Sequence, residues 1–245
     1  MKKLNFYISH IIIFMLVIIS SACEKAPLFN GGEETSFLIE LEDFYILEIH
    51  DIFEITLHNS DENYLYVHAG ENLIQKLDFQ VKDGKLYMKD GNKYSWSRNY
   101  EKIKIDLYTS DLSRINIRSS VLINTSTSFH AETLAITDYE KFSEVDMEIQ
   151  VNSFRFFVSS DNAGIYTFRG TASSAFIRPW GSCFVYANDL KIARANVNHS
   201  SIGDAHLFIT EELKVSMDEK GSLYYRGNPN VVIEKNTAGA IIALP

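Results

Sequence analysis

Histidines are the side chains here that are best suited to bind a metal or move a proton near neutral pH. The chain has seven of them: His10, His50, His58, His68, His130, His199 and His206. None falls in a His-x-x-x-His or His-Glu-x-x-His pattern, so the common zinc-hydrolase motifs are absent from the sequence. His199 and His206 flank a turn where they could share a metal, but loop histidines are more often solvated. We therefore predict neither a metal nor a cofactor.

Carboxylates offer a second kind of chemistry, because pairs of Asp or Glu side chains cleave glycosidic bonds. On a β-helix such pairs come from neighbouring turns of the chain. The candidates Asp138, Asp161 and Asp189 fall at different points of the repeat described below, so we expect them to be solvated corner residues that do not stack. The sequence also has no Gly-x-Ser-x-Gly elbow and no phosphate-binding loop. It therefore predicts no catalytic residue, with a polysaccharide-active enzyme as the alternative.

Two tryptophans are the candidates for ligand binding. Trp96 lies in a polar stretch with Arg98 and Asn99, and Trp180 follows Pro179 at an expected corner. Exposed aromatic rings beside arginine and asparagine are common on surfaces that recognise sugars or proteins. The alternative is that both rings cover the ends or edges of the core.

The first 23 residues are typical of an exported lipoprotein. A short basic region containing Lys2 and Lys3 precedes an apolar run over residues 11–19, which is too short to cross a bilayer. Small residues at 20–22 then precede Cys23 in an arrangement that resembles a lipobox, with Ser20 where leucine is usual. We predict a signal peptide over 1–22 and lipidation of Cys23, with a plain secretory signal or an uncleaved anchor as the alternatives. Several acyl chains would hold the protein durably at the membrane.

The composition limits what the rest of the chain can bind. Formal charge is −9 and becomes −11 without the two lysines of the signal peptide, which disfavours nucleic acid. Residues 23–36 contain Pro27 and Gly31-Gly32, so we predict a flexible tether there. The second cysteine, Cys183, has no intramolecular partner once Cys23 is lipidated, and we expect a small buried side chain rather than a nucleophile.

Residues 37–112 predict short strands. Apolar and polar residues alternate over 37–41, 53–57, 64–67 and 103–107. Residues 79–88 predict a hairpin with Asp83-Gly84 at its turn. Only 71–77 has the spacing of a helical turn.

Residues 113–245 instead repeat at intervals near 20 residues. Seven apolar positions open successive short strands: Ile117, Ile136, Phe156, Ile177, Val197, Val215 and Ile233. Second apolar pairs follow, for example Val145 with Met147 and Ile165 with Phe168. Because one such repeat buries too little apolar surface to fold alone, stacking of successive repeats is required. The sequence predicts an all-β, right-handed parallel β-helix with the N-terminal strands packed against it, and the alternative is an antiparallel β-sandwich.

The order of several motifs resembles the adhesin head family known as the GIN domain. These motifs are Glu71-Asn72-Leu73-Ile74, residues 81–86, Ala187-Asn188-Asp189-Leu190 and Tyr225-Arg226-Gly227-Asn228-Pro229. The family's turns read Ser-Gly-Ser-Gly, whereas those of this chain differ, as at 138–142 and 200–203. The resemblance covers residues 37–244 and implies a β-helical domain, a homotrimer and an adhesin-like role in a Bacteroidota lipoprotein.

Taken with the anchor, this resemblance implies a function at the cell envelope. We expect a non-catalytic protein held at the outer membrane, on its periplasmic or its outer side, that binds a glycan or an envelope protein. A structural or assembly role is a further alternative.

Overall fold

Nearly all regular structure in the described part of the chain is β-strand. The structure is a computed structural model, and it describes residues 31–92, 103–159 and 161–245. Its strands are β1 (Glu34–Glu40), β2 (Ile46–Ile49), β3 (Glu54–Asn59), β4 (Tyr64–Gly70), β5 (Leu77–Lys82), β6 (Lys85–Asp90), β7 (Lys104–Thr109), β8 (Arg114–Ile117), β9 (Leu122–Thr125), β10 (Phe129–Asp138), β11 (Glu144–Val158), β12 (Ile165–Arg178), β13 (Trp180–Gly181), β14 (Phe184–Ser201), β15 (Ala205–Met217), β16 (Leu223–Arg226), β17 (Asn230–Asn236) and β18 (Ile241–Ala243). One helical turn, α1 (Glu71–Ile74), lies where the sequence predicts it. No helix among these residues has the length and hydropathy needed to span a bilayer.

From β8 onward the chain forms the predicted solenoid of parallel strands. Each strand pairs in parallel with the strands one turn earlier and one turn later. One interior column runs through seven strands that are joined by six successive pairings, and its members are Ile115, Ile136, Phe156, Ile177, Val197, Val215 and Ile233. The parallel pairing excludes the antiparallel sandwich.

The predicted column is wrong at its first member. Ile136 pairs with Ile115, and Ile117 pairs instead with Asp138. Both isoleucines are buried, because residues two apart on a strand share a face. In the second column, Tyr166 replaces the predicted Ile165, since Tyr166 pairs with Val145 and is buried whereas Ile165 is 46% exposed.

The N-terminal strands pack against the solenoid, as predicted, by pairing with its first strands. β2 inserts between β6 and β8, and β3 inserts between β7 and β9, all in parallel. The outermost strands reverse direction: β4 is antiparallel to β7, β1 is antiparallel to β4, and β5 is antiparallel to β6. These antiparallel strands close the N-terminal end of the solenoid. β1 begins at Glu34, inside the segment predicted as a tether.

The β5–β6 hairpin turns at the two residues that the sequence indicates. Asp83 and Gly84 have φ of 52° and 69°, the left-handed pair that a two-residue hairpin turn requires. The turn packs against Tyr45, whose ring lies where a side chain on Gly84 would begin. Leu77 to Lys82 therefore pair with Lys85 to Asp90 in the register set by the turn.

Candidate functional site

Trp180 lies at the corner of the solenoid where β12 ends, as its position after Pro179 predicts. β13 consists of Trp180 and Gly181 only, and it pairs in parallel with Ser200 and Ser201 of the next turn. Gly181 has a φ of 83°, so the backbone turns back toward the core immediately after the indole. The turn thus leaves the Trp180 ring 39% exposed at the surface.

A groove of about 660 Å³ opens beside this ring, and we call it the Trp180 groove. Its lining residues come from four successive turns of the solenoid: Asp161, Arg178, Trp180, Gly181, Ser182, Asn198, Ser200, Ile202, Asp218 and Glu219. The Arg178 guanidinium lies 5.1 Å from the centre of the indole and 4.7 Å from the centre of the Phe157 ring. Because Arg178 stacks between two rings, it holds the indole in place through cation–π contacts.

Among the described residues, three carboxylates, Asp161, Asp218 and Glu219, line the groove together with one cation, Arg178. Lys235 Nζ lies 2.5 Å from Asp218 Oδ1, and the hydroxyl of Ser200 donates to Asp218 Oδ2 over 3.4 Å. The hydrogen bond from Lys235 lowers the pKa of Asp218 below its ordinary value. Asp218 is therefore an ionised carboxylate, paired with Lys235, in the lining that it shares with Trp180.

This combination of groups suits a polyhydroxylated or polar ligand. An indole offers a flat apolar surface for the C–H face of a sugar or for an aliphatic side chain, and carboxylate and amide groups accept and donate hydrogen bonds to hydroxyls. Asp161, Asn198 and Asp218 supply such groups at the rim. The groove can therefore bind and orient a ligand without catalysing a reaction of it.

A second, apolar recess lies along the same corner of the solenoid, on turns nearer the N-terminus. Ile52, Phe142 and Ile165 are 50%, 65% and 46% exposed, and they line a recess of about 390 Å³. The sequence predicts Ile165 in the core and predicts no shared surface for the three side chains, because they come from three turns that only the stacking of the solenoid brings together. Large exposed apolar side chains in one place are typical of an interaction surface.

Beneath this edge the solenoid interior holds polar groups, contrary to the prediction that Asp138 and His199 are solvated. Asp138 and His199 are both fully buried. Asp138 Oδ2 accepts a hydrogen bond of 2.6 Å from the Tyr166 hydroxyl, and its Oδ1 accepts one of 2.7 Å from the Glu140 N–H. Burial raises the pKa of Asp138 and lowers that of His199 to about 4. Both side chains are buried because they occupy inward-facing positions of their strands, in line with inward-facing residues of the neighbouring strands.

The three aspartates considered as a catalytic set do not converge. Asp138 is internal, Asp161 lines the Trp180 groove, and Asp189 pairs on another face with Arg226 at 3.2 Å. Cys183 is buried as predicted, and burial raises the pKa of its thiol to about 11. A buried, protonated thiol is a poor nucleophile.

His206 is not a partner for His199. Its ring stacks on the outer face between Tyr186 and Tyr224, with ring centres 5.6 and 4.7 Å away, whereas His199 points inward.

Two other histidines share one carboxylate. Because β3 and β4 both pair with β7, His58 and His68 each lie 2.9 Å from an oxygen of Asp106. Across the described residues, no cluster of three or more His, Cys, Asp or Glu side chains is arranged to hold a metal ion.

Two predicted residues fall outside the described part of the chain. Cys23, the expected lipidation site, precedes residue 31, and Trp96 lies between residues 92 and 103. The structure therefore places only Trp180 of the predicted recognition residues.

The fold and part of the sequence match known proteins. A family model described as "Putative auto-transporter adhesin, head GIN domain" matches residues 43–229. No curated protein matches the chain.

Several solved structures share the fold. A putative adhesin from Bacteroides fragilis is 19% identical with a TM-score of 0.77, and the match covers 86% of this chain and 97% of that one. A putative adhesin from Parabacteroides distasonis is 16% identical with a TM-score of 0.66, covering 87% and 98%. A putative lipid binding protein from the same species is 20% identical with a TM-score of 0.61, covering 87% and 95%. At these identities the likeness extends to the fold alone.

Proposed function

The chain belongs to the adhesin head GIN domain family, and we propose that it is a cell-envelope protein with an adhesin-like, non-catalytic binding role. The observation that supports this role most directly is the Trp180 groove. It combines a partly exposed indole, an arginine stacked on that indole and three carboxylates, groups that are common in recognition surfaces. The partner is a glycan or an envelope protein presented at the cell surface.

A binding assay on the exported chain tests this role. Mature protein is expected to bind immobilised glycans or isolated envelope fractions, and Trp180→Ala is expected to weaken that binding at least tenfold. Tyr139→Ala is the matched control, because Tyr139 is also an exposed aromatic residue with an arginine stacked on its ring, Arg118 at 4.3 Å, but lies outside the groove. Full retention of binding by Trp180→Ala would remove the groove from the proposal.

The same preparation separates binding from catalysis. We expect no release of reducing ends and no unsaturated product when the protein is incubated with a broad panel of polysaccharides. Turnover of any of them would contradict a non-catalytic role and favour a polysaccharide-active enzyme.

Anchoring at the outer membrane through lipid on Cys23 is part of the proposal. It is supported by the basic, apolar and small-residue segments that precede Cys23 in the sequence. The intact protein is expected to partition with membranes, and Cys23→Ser is expected to release it into the soluble fraction. Protease treatment of whole cells then distinguishes a surface-facing protein, which is cleaved, from a periplasmic one.

A homotrimer is the assembly that the family resemblance implies. Light scattering of the mature chain measures its mass directly, and a mass three times that of one chain is the expected result. A monomer at high concentration would contradict the trimer without affecting the binding proposal.

A further inference from the structure

A long groove on a different face of the solenoid points to a second binding site. It has a volume of about 780 Å³ and crosses five successive strands, β10, β11, β12, β14 and β15. We call it the axial groove, because it runs along the stacking direction. Its lining residues are His130, Ala131, Glu132, Gln150, Val151, Asn152, Thr171, Ala172, Ser173, Lys191, Ala193, Thr210 and Glu211.

The first row of outward side chains in this groove is polar on four successive strands. His130 pairs with Gln150, Gln150 with Thr171, and Thr171 with Lys191, so these four lie side by side across the sheet. On the fifth strand Lys191 pairs with Phe208, where the polar row ends. Adjacent strands are about 4.8 Å apart, so the four strands present hydrogen-bonding groups over a length of about 14 Å.

The second row lies two residues further along each strand and is also polar or small. Its exposed members are Glu132, Asn152 and Ser173, and the Asn152 side-chain amide donates to Glu132 Oε2 over 2.7 Å. Between the two rows lie Ala131, Val151 and Ala172, an apolar strip whose Val151 and Ala172 side chains are buried. The axial groove thus has two polar rims with an apolar strip between them.

We propose that the axial groove binds a linear, uncharged polysaccharide lying along the solenoid axis. Sugar rings in an extended chain repeat at a spacing close to that of the strands, so each turn meets an equivalent part of the ligand. Hydroxyl groups both donate and accept, which matches a lining of amide, hydroxyl, imidazole and carboxylate groups. The proposal concerns a site separate from the Trp180 groove and does not depend on it.

The charge of the lining favours an uncharged ligand. Glu211 is already paired with Arg194 at 2.8 Å, so the remaining charged side chains of the groove are Glu132 and Lys191. These two have opposite signs, and an anionic or cationic polymer would find no continuous row of counter-charges. Nucleic acid is excluded on the same ground.

Hydrogen bonding disfavours an extended peptide as the occupant. A peptide that adds to a sheet needs a free strand edge. The five strands under the groove use their backbone groups to pair with one another, turn upon turn. Side chains are the groups left to bind a ligand, and they match the hydroxyls of a sugar chain better than the alternating N–H and C=O groups of a peptide.

Titration of the mature chain with size-fractionated linear β-glucan, xylan and mannan oligosaccharides tests the proposal. For at least one series, affinity is expected to rise with chain length and to level off once the oligosaccharide spans the groove. Absence of binding in all three series, or affinity independent of length, would overturn the proposal.

A matched pair of variants locates the site. Glu132→Ala removes a carboxylate that accepts hydrogen bonds from hydroxyl groups and is expected to weaken binding about tenfold, the usual loss for one hydrogen bond to a charged group. Glu148→Ala makes the same change on the neighbouring strand β11, at an exposed position outside the groove, and is expected to bind like the wild type. Equal loss in both variants, or none in Glu132→Ala, would overturn the assignment.

The Trp180→Ala variant keeps this test independent of the proposed adhesin-like role. Length-dependent binding is expected to survive Trp180→Ala, because the Trp180 groove shares no lining residue with the axial groove. Loss of binding in Trp180→Ala together with retention in Glu132→Ala would assign the oligosaccharide to the Trp180 groove and refute the axial site.

Discussion

The hydroxyl of Tyr166 donates a hydrogen bond of 2.6 Å to Oδ2 of Asp138, and both side chains are fully buried within the solenoid. The two residues come from different turns of the chain, so their contact ties one turn to another through the interior. A buried carboxylate without such a partner is costly, because its desolvation is not offset. The pair therefore has direct consequences for stability.

Tyr166→Phe removes the donor and leaves the Asp138 carboxylate short of one hydrogen bond. We expect the free energy of unfolding to fall by about 1–3 kcal/mol, the usual cost of an unsatisfied buried acceptor. Urea denaturation at pH 7 measures the change. Tyr186→Phe is the control, because Tyr186 is 38% exposed on the outer face and its loss is expected to cost about 0.5 kcal/mol or less. Equal costs would contradict the role of the buried bond.

Asp138→Asn tests the raised pKa of this carboxyl. A raised pKa means that the native state favours the protonated form, so the stability contributed by Asp138 is greatest at low pH. That contribution is lost as the pH rises above the ordinary value of 3.8 toward the raised one. The side-chain amide of the variant does not titrate, so the variant lacks this loss.

The stability of Asp138→Asn relative to the wild type is therefore expected to increase between about pH 3.5 and pH 7. Denaturation curves of both proteins across this range give the difference at each pH. A difference that stays constant, or that shrinks with rising pH, would show that burial does not raise the pKa of Asp138.

His199 gives a pH dependence of the opposite sense. Burial lowers its pKa to about 4, and neither ring nitrogen has a hydrogen-bond partner among the described residues. The unfolded chain takes up a proton below about pH 6.5, whereas the folded chain does so only below about pH 4. Stability is therefore lost as the pH falls from about 6.5 to about 4, by about 2 kcal/mol at pH 5.

His199→Met removes this dependence, because methionine fills a similar interior space and does not titrate. The wild type is expected to lose about 2 kcal/mol more than His199→Met between pH 7 and pH 5, measured by urea denaturation. Asp138 is present in both proteins and cancels in the comparison. Parallel losses would contradict the assignment to His199.

The fold was predictable from the sequence because its strongest signal is periodic. The interval near 20 residues over 113–245 indicated the solenoid, and Asp83-Gly84 indicated the hairpin. The register at the first turn was not predictable, because Ile115 and Ile117 are both apolar and, being two residues apart, lie on the same face of the strand. Periodicity selects a face of a strand but leaves a shift of two residues open.

The candidate site was less predictable for a related reason. Trp180 could be found because proline and an aromatic residue mark a corner, but its groove is completed by Asp161, Asn198 and Asp218 from other turns. Asp138 and His199 were expected in solvent because polar residues usually mark turns, whereas the strand columns carry them inward. Such contacts depend on three-dimensional stacking that a single sequence does not display.

The hairpin turn depends on the freedom of Gly84. Its φ of 69° suits glycine, and the Tyr45 ring occupies the position that a Cβ would take. Gly84→Ala is therefore expected to lower the free energy of unfolding by at least about 1 kcal/mol, since it adds left-handed strain and a clash. Asp83→Gly relieves a left-handed residue in the same turn and is the control, with little or no loss expected. Greater loss in the control would contradict the turn geometry.

The interior column provides a test of the stacking itself. Phe156 is fully buried between Ile136 and Ile177, whereas Ile233 ends the same column and is 55% exposed. Phe156→Ala is expected to cost about 3–5 kcal/mol, because neighbouring turns cannot close the cavity. Ile233→Ala is expected to cost less than about 1 kcal/mol, since its side chain remains largely in water. Chemical denaturation of both variants measures these costs, and a similar cost at the two positions would show that the turns do not stack through this column.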